Sequence, residues 1–483
     1  GSLECRYDTE FDPEFRFRPG PWYFHWLQGG SCYYFYPVAY AAIAAPFVQL
    51  SPDYGYFLLN LLLLLVFVFA CAKMCGHLLE DPSAELAGGL IALLVIPAPT
   101  FAYELSDMMM AMALFAVALM YAVRGLDLRA PAFDPEEVGR EREPQPRPAY
   151  LLTSGILLGL AFALRTEALL LACAMGGAML VLCMYQLVQK GDFRVADAFA
   201  FLIGVFVSFG PVVLWQLWFY GDMLGSRGAA HVDVTGEVNV QQRLDIMYTL
   251  LFGGSLGLFS ALPSAALAFL WLLFGGARRA CGAVGWFLFT LSGAYTLAVL
   301  ITAPNDGGYA WSPRYLAPML TALYAGILCL VFRWGALRRR WIWRLLILGL
   351  CIHAVQFTHQ GMQILQQTSR QNLGYSRALQ EFPAEHIVFD TAPTIGFLSE
   401  DILDSKRLYM ALNAEDAQAL VNRLRETGVE QFLYLRTPLG PPVFRESMPV
   451  TGSTSGRYVS TVQQNVQGMQ IHLMRWQGSG GQR

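Results

Sequence analysis

The segment 54–75, with the sequence YGYFLLNLLLLLVFVFACAKMC, decides the class of fold. It is apolar almost throughout, and Lys73 is its single charged side chain. Because an α-helix needs about 20 apolar residues to cross the hydrocarbon core of a bilayer, a run of this length predicts a membrane-spanning helix. The segment therefore predicts a chain that is embedded in a membrane.

The composition of the whole chain agrees with this prediction. Of its 483 residues, 55% are hydrophobic and 14% are charged. A soluble domain of this length rarely needs so much apolar surface, because surface grows more slowly than volume. The net charge of −3 gives no bulk attraction for polyanions, so nucleic acid is not among the expected partners.

Further apolar runs follow along the chain. Together with 54–75 they predict about ten transmembrane helices, the others at 87–103, 108–124, 150–164, 168–187, 195–219, 246–274, 284–302, 315–332 and 341–365. The run 33–50 is shorter, begins with aromatic residues and is interrupted by Pro37 and Pro46. It predicts a juxtamembrane segment that lies on the surface or re-enters the membrane.

Basic residues concentrate in every second connection between the predicted helices. Because Lys and Arg are enriched in cytoplasmic loops, those connections are expected on the cytoplasmic side, at 124–148, 190–194, 278–279 and 333–344. The other connections then face outward, at 104–107, 165–167, 220–245 and 304–314. Residues 1–32 are expected outside as well if 33–50 lies in the interface.

The chain after residue 365 has a different pattern. HIVFDT at 386–391 predicts a buried strand, EDAQALVNRLRETG at 415–428 an amphipathic helix, and VEQFLYLRT at 429–437 a further strand. This order predicts a small extracytoplasmic α/β domain. The predicted organisation is thus an extracytoplasmic and juxtamembrane segment at 1–53, a transmembrane domain at 54–365 and an α/β domain at 366–483.

Two pairs of charged residues interrupt the apolar pattern on the outward side. Glu104 and Asp107, in YELSDMMM, are three residues apart and could share a metal ion or a proton; the alternative is that they cap a helix. Arg165 and Glu167, in FALRTEALLL, stand where a charge is functional by default or at least paired. The alternative for this second pair is a tight outer turn.

Two further segments offer polar candidates. The acids Asp8, Glu10, Asp12 and Glu14 could bind a divalent cation or supply a base, but they lack the glycine of a calcium loop and also suit a solvated segment. The loop 220–245 suits a mobile lid over a cavity and contains His231, and a lone histidine is more often solvated or structural than a ligand.

Arg314 is a stronger candidate. It follows two glycines and begins a predicted helix, in the segment 306–320 with the sequence DGGYAWSPRYLAPML. The planar guanidinium matches the oxygens of a phosphate, so Arg314 could bind the phosphate of a lipid headgroup. The alternative is a side chain that extends to the membrane surface without a ligand.

Four parts of the sequence together resemble the bacterial GT-C superfamily of integral-membrane glycosyltransferases, in the group of protein mannosyltransferases and aminoarabinose transferases. They are GGSCYYFYPVAYAAIAAPF at 29–47, YELSDMMMAMAL at 103–114, WFYGDMLGS at 218–226 with LLFGGSLGLFSALPS at 250–264, and DGGYAWSPRYLAPML at 306–320. Their order is that of the family, and together they extend over nearly the whole membrane region. The resemblance implies a GT-C-like helical bundle.

The resemblance also implies an activity and a location. Family members move a sugar, with inversion, from a polyprenyl-phosphate donor to a glycan, lipid or protein acceptor on the outer side of the bacterial inner membrane. The corresponding roles are catalysis for Asp8 and Asp107, binding of the lipid phosphate or sugar for Glu104, Arg165, His231 and Arg314, and coordination of a divalent metal ion for Glu104 and Asp107.

The sequence departs from the family at its start. Members begin with a transmembrane helix that is followed closely by a catalytic aspartate, whereas here only a few polar residues precede Asp8. We therefore expect the first helix to be absent, and Asp8 is the nearest candidate for the acid.

Two other functions fit the same features. A lipid-linked sugar flippase or transporter would bind the same lipid without making a bond, and a non-catalytic GT-C relative would serve as an assembly partner. The residues do not identify the sugar or the acceptor, and they leave metal dependence open.

Overall fold

The architecture is mostly helical, with a small sheet formed by residues near the C-terminus. The structure is a computed structural model, and it describes residues 10–14, 16–17, 25–28, 31–34, 38–52, 54–103, 107–130, 147–190, 195–225, 240–253, 257–266, 269, 275–303, 314–333, 341–390, 405–411, 413–436, 444, 447–449, 456–466 and 469–478.

The chain divides into two compact units. The helical unit is Pro37–Leu365, and the mixed unit combines Gly1–Tyr36 with Gln366–Arg483. The predicted division into 1–53, 54–365 and 366–483 stays a prediction; in the structure, Gly1–Tyr36 belongs to the same compact unit as Gln366–Arg483.

The helices are mostly long and apolar. They are α1 Val38–Leu50, α2 Gly55–Leu79, α3 Pro82–Leu94, α4 Ala98–Tyr103, α5 Met108–Gly125, α6 Pro148–Ala161, α7 Glu167–Lys190, α8 Val195–Tyr220, α9 Val240–Phe252, α10 Leu258–Ala261, α11 Gly275–Thr302, α12 Ala317–Arg333, α13 Trp341–Gln380 and α14 Ala414–Glu426. In the helical unit, α5 and α12 are buried along most of their length, which places them at its centre.

Among the described residues, five helices are long and apolar enough to cross a membrane. They are Gly55–Leu79, Met108–Gly125, Glu167–Val188, Ala196–Phe219 and Gly282–Thr302. Shorter apolar helices accompany them at Ala39–Leu50, Pro82–Leu94, Pro148–Ala161 and Ala317–Arg333. These helices are compatible with a membrane protein.

The expected ten spans are therefore not found as ten long helices, because several apolar runs are divided. The run 87–103 separates into α3 and α4 at Pro97, where the missing N–H and the ring interrupt helical hydrogen bonding. The run 246–274 leaves the helix at Gly253, and α10 begins only after Gly257. Hydropathy measures how apolar a run is, and it does not register such breaks.

Glycines allow α6 and α8 to approach closely. A Cβ atom on Gly204 of α8 would lie 2.2 Å from the backbone oxygen of Leu152, and one on Gly155 of α6 would lie 2.1 Å from that of Phe201. Gly159, four residues after Gly155, meets Ser208 in the same way. The contact therefore has the small-residue spacing that is typical of packed membrane helices.

The mixed unit contains a six-stranded sheet in the order β4-β3-β5-β8-β7-β6. Its strands are β3 His386–Phe389, β4 Arg407–Met410, β5 Gln431–Arg436, β6 Ser447–Pro449, β7 Gly456–Val466 and β8 Met469–Gly478; a separate hairpin joins β1 His25–Gln28 to β2 Ser31–Tyr34. Strand β3 pairs in parallel with both β4 and β5. Along the chain, α14 connects β4 to β5. The strand predicted at 386–391 is β3, the helix predicted at 415–428 is α14, and the strand predicted at 429–437 is β5. The other strands of the sheet had not been predicted.

We predict that Gly204→Ala destabilises the helical unit by about 1–3 kcal/mol, because the new methyl group has no space between α6 and α8. The matched control is Gly177→Ala, since a Cβ on that exposed glycine of α7 meets nothing within 4 Å. The free energy of unfolding of each variant would be measured in detergent and compared with that of the unmodified protein. Equal stability of the two variants would contradict the proposed close packing.

Candidate functional site

Arg165 lies in the short connection between α6 and α7. Its backbone N–H donates to the Ala161 carbonyl at 3.0 Å, and its own carbonyl accepts from the Ala168 N–H at 3.1 Å. The backbone therefore closes the end of one helix and opens the next, so the tight turn predicted from the sequence is present. The side chain of Arg165 is nevertheless buried.

The buried guanidinium of Arg165 bridges two carboxylates. Its Nη1 lies 3.1 Å from Oδ1 of Asp107, which is also buried, and its Nη2 lies 2.6 Å from Oε1 of Glu167. Ions are costly to bury, and pairing with hydrogen bonds of this length offsets part of that cost. The cluster joins the start of α5 to the start of α7, and it holds the two carboxylates of Asp107 and Glu167 beside the guanidinium of Arg165.

The charge of Arg165 is secured by these neighbours. Burial lowers the pKa of its guanidinium, but the nearby carboxylates of Glu167 and Asp107 raise it by more, so the net direction is upward. Arg165 lies outside the candidate spans and remains a cation at every physiological pH. It thus provides a permanent positive charge at this end of the helical unit.

A cleft opens beside the cluster. The cleft is small and opens to the outside. Arg165, Glu167 and Arg314 supply its charged groups. Apolar and aromatic side chains form the rest of the lining, contributed by Met108, Ala111, Phe115, Ala161, Ala168, Leu171, Tyr295, Tyr315 and Pro318.

Two tyrosines connect Arg314 to the bundle. The hydroxyl of Tyr295 in α11 donates to the backbone carbonyl of Tyr315 at 2.8 Å. The guanidinium carbon of Arg314 lies 5.6 Å from the centre of the Tyr315 ring. Within the described part of the chain, no acidic side chain forms an ion pair with Arg314. Its partly buried guanidinium therefore lines the cleft as a second cation.

The structure thus brings three of the predicted site residues to one place. Arg165 and Arg314 line the cleft, and Asp107 is held by Arg165. Asp107 precedes α5, but its side chain makes no capping hydrogen bond to that helix. Asp107 thus stands at the N-cap position, as the alternative for this residue expected, while its carboxylate binds the Arg165 guanidinium.

The other predicted site residues, Asp8, Glu104 and His231, lie outside the described residues. Within the described ranges, no group of three or more His, Cys, Asp or Glu side chains is arranged to hold a metal ion. A divalent metal at Glu104 and Asp107 remains a prediction, because only Asp107 of this pair is described.

Glu167, Tyr295 and Tyr315 were not among the site residues predicted from the sequence. Glu167 had been considered only together with Arg165, although an acid two residues after a buried arginine, at the start of a helix, could have indicated that both belong to one site. Tyr295 lies inside an apolar run, where an aromatic residue is indistinguishable from an ordinary core residue. No local pattern could have identified it.

Of the N-terminal acids that the structure describes, Asp12 has a structural role. The buried carboxylate of Asp12 accepts backbone N–H groups of Arg16 at 3.1 Å and Phe17 at 2.7 Å. Phe11 and Phe17 pack into the core of the mixed unit, and Arg423 donates to the Phe11 carbonyl at 2.8 Å. Residues 10–14 and 16–17 are thus attached to the sheet domain. The solvated-segment alternative is wrong for Asp12.

Comparison with known proteins finds no family model and no curated protein that matches the chain. The resemblance to GT-C glycosyltransferases therefore stays a prediction.

We predict that Arg165→Met destabilises the helical unit by about 3–5 kcal/mol, because two carboxylates lose their buried counter-ion. Adding Asp107→Asn and Glu167→Gln to this variant should recover much of the loss, since no buried charge then remains unpaired. Unfolding in detergent tests both steps. The control Arg147→Met removes an exposed arginine and should have little effect; an equally unstable triple variant would contradict the account.

We predict that Asp12→Ala releases the segment around residues 10–17, because two backbone N–H groups lose a charged acceptor worth about 1–3 kcal/mol. The measurement is the rate of tryptic cleavage after Arg16, which should rise. Glu14→Ala is the matched control, because Glu14 is an exposed acid of the same segment. Equal cleavage rates in the two variants would show that Asp12 does not hold the segment.

Proposed function

We propose that the chain is a membrane-embedded glycosyltransferase that moves a sugar from a polyprenyl-phosphate donor to an acceptor in the cleft beside Arg165. The observation that carries this proposal is that one largely apolar cleft is lined by both the carboxylate of Glu167 and the guanidinium of Arg314. A transfer reaction needs a group that takes a proton and a group that receives a departing phosphate.

The reaction assigns these tasks to the two residues. A carboxylate removes the proton from the acceptor hydroxyl, whose oxygen forms a bond to the anomeric carbon of the sugar. The bond between that carbon and the phosphate oxygen breaks, and the polyprenyl phosphate leaves with its electron pair. Glu167 lines the cleft and is our candidate base, and Asp8 and Asp107 are the catalytic candidates from the resemblance.

Arg314 would bind the departing phosphate. Its guanidinium is planar and presents N–H groups that match phosphate oxygens, and the negative charge on the phosphate grows as the bond breaks. Arg165 is the second cation at the cleft, but it already bridges Asp107 and Glu167. We assign Arg165 to holding these carboxylates in place and Arg314 to the donor.

The surroundings of the cleft suit a lipid-linked donor. Phe115, Leu171 and Pro318 give its wall an apolar character that matches an isoprenoid chain. We further propose a GT-C-like bundle of about ten spans in the bacterial inner membrane, with the cleft and the mixed unit on the extracytoplasmic side. The shorter apolar helices would then complete the crossings between the long ones.

A flippase or transporter is the second candidate function. It predicts charged groups along a path through the membrane. In the described part of the helical unit, the buried charged side chains are Asp107 and Arg165 beside the starts of α5 and α7, and Asp197 in the first turn of α8, at the opposite end of α7. None of the three lies in the middle of a candidate span, and this distribution favours the transferase over a path of charges through the membrane.

We predict that Arg314→Ala lowers sugar transfer by about 100-fold or more, because the departing phosphate loses its cation. The assay follows polyprenyl phosphate released from radiolabelled polyprenyl-phosphate mannose and polyprenyl-phosphate arabinose by protein in liposomes with envelope acceptors. Arg314→Lys should retain part of the rate, since it keeps the charge without the planar donor array.

The matched control is Arg147→Ala. Arg147 also lies over a tyrosine ring, with its guanidinium carbon 5.6 Å from the centre of the Tyr150 ring. Arg147 precedes the first residue of α6, however, and the cleft lies at the other end of that helix. The Arg147→Ala variant should therefore transfer sugar at the unmodified rate. An unchanged rate in Arg314→Ala would remove Arg314 from the mechanism, and donor movement without cleavage would support the flippase.

A further inference from the structure

Helix α9 presents a row of large apolar side chains to its surroundings. Val240, Leu244, Tyr248 and Phe252 are spaced four residues apart and are between 49% and 78% exposed. Residues four apart lie on one face of a helix, so the four side chains form a continuous row. The rings of Tyr248 and Phe252 are in contact, with centres 5.7 Å apart. We call these four residues the α9 row.

A neighbouring face of α9 is packed. Leu250 is fully buried, and Ile246, Met247 and Leu251 lie against the core of the helical unit. The helix is therefore fixed to the bundle by this face, and Phe252 also contacts the Phe259 ring at 5.5 Å between centres, while all four side chains of the α9 row stay exposed. An apolar row of this size would be unfavourable in contact with water.

One hydrogen bond sets the level of α9 along the bundle. The guanidinium of Arg243 donates to the backbone carbonyl of Ala303, the residue that follows the last residue of the candidate span Gly282–Thr302. The first turns of α9 therefore lie where a membrane-spanning helix ends. They also contain the exposed polar residues Gln241 and Asp245, whose side chains are hydrogen-bonded to each other at 3.0 Å.

The length of α9 excludes a crossing by this helix alone. It has 13 residues, and at 1.5 Å per residue it extends about 20 Å, against about 30 Å of hydrocarbon. Gly253 follows its last residue. A helix with this length, a polar first turn and one apolar row has the features of a helix at the membrane surface.

The end of the preceding helix has the same character. Trp218 in the last turn of α8 is highly exposed, and Trp215 stacks on Phe219 nearby, with ring centres 5.8 Å apart. Tryptophan is enriched where spanning helices meet the membrane surface. The candidate span Ala196–Phe219 ends at these residues. Large apolar or aromatic side chains are therefore exposed both at the end of α8 and along α9.

We propose that α9 is an interfacial helix and that the α9 row is seated in the lipid bilayer, at the boundary between headgroups and acyl chains. The occupant of the exposed face is thus lipid rather than a second protein. The inference does not depend on glycosyl transfer, because it rests on packing, exposure and the position of Arg243. It replaces the start of the single span expected at 246–274 with a surface helix that ends at Phe252.

The test places a photoreactive side chain at two positions of the full chain. Tyr248→p-benzoylphenylalanine puts it in the α9 row, and Gln242→p-benzoylphenylalanine puts it at an exposed polar position of the first turn. Each variant is reconstituted in liposomes of phosphatidylethanolamine and phosphatidylglycerol, irradiated and analysed by mass spectrometry. We expect several-fold more lipid adducts at position 248 than at 242.

Two results would overturn the proposal. Lipid adducts at position 248 that are no more frequent than at 242 would show that the row does not reach the bilayer. A covalent dimer formed from position 248 would show that a second copy of the chain covers the row instead. Both variants replace exposed side chains, so each outcome reports on the surroundings of α9 in a folded protein.

Discussion

The ion pairs of Arg165 with Asp107 and Glu167 are the interaction on which the site depends. Asp107 and Arg165 are 58 residues apart in the chain, and their contact at 3.1 Å fixes the start of α5 against the connection between α6 and α7. A buried charge without a partner would cost several kcal/mol, so these elements are held in one arrangement. That arrangement presents Glu167 to the cleft and keeps a permanent cation beside it.

The cleft combines a few charged side chains with walls that are otherwise apolar or aromatic. Its charges come from Glu167, Arg165 and Arg314, and its walls come from apolar side chains of buried helices. Tyr295 links α11 to the backbone just before α12, which positions Arg314 without occupying its guanidinium. A ligand with an anionic head and a long apolar tail satisfies both parts, and this is the physical basis for proposing a polyprenyl-phosphate donor.

Local sequence could predict the elements but not all of their limits or contacts. Apolar runs predicted the long apolar helices, and the patterns of a buried strand and an amphipathic helix predicted β3, α14 and β5. The breaks at Pro97 and Gly253 shortened runs that hydropathy alone treats as continuous. Arg165 and Arg314 were selected because charge is costly in such surroundings. The pairing of Asp107 with Arg165 and the use of Asp12 inside the mixed unit depend on distant contacts, which no local pattern contains.

The central claim is that the cleft binds a lipid-linked phosphate, and photolabelling with a diazirine-bearing polyprenyl phosphate tests it most directly. Adducts would be mapped by peptide mass spectrometry on protein in liposomes, with unlabelled polyprenyl phosphate as competitor. The account predicts competable labelling of the cleft wall at Phe115, Leu171 and Pro318. Labelling that the competitor does not reduce, or that is confined to the exposed apolar face of α2, would contradict it.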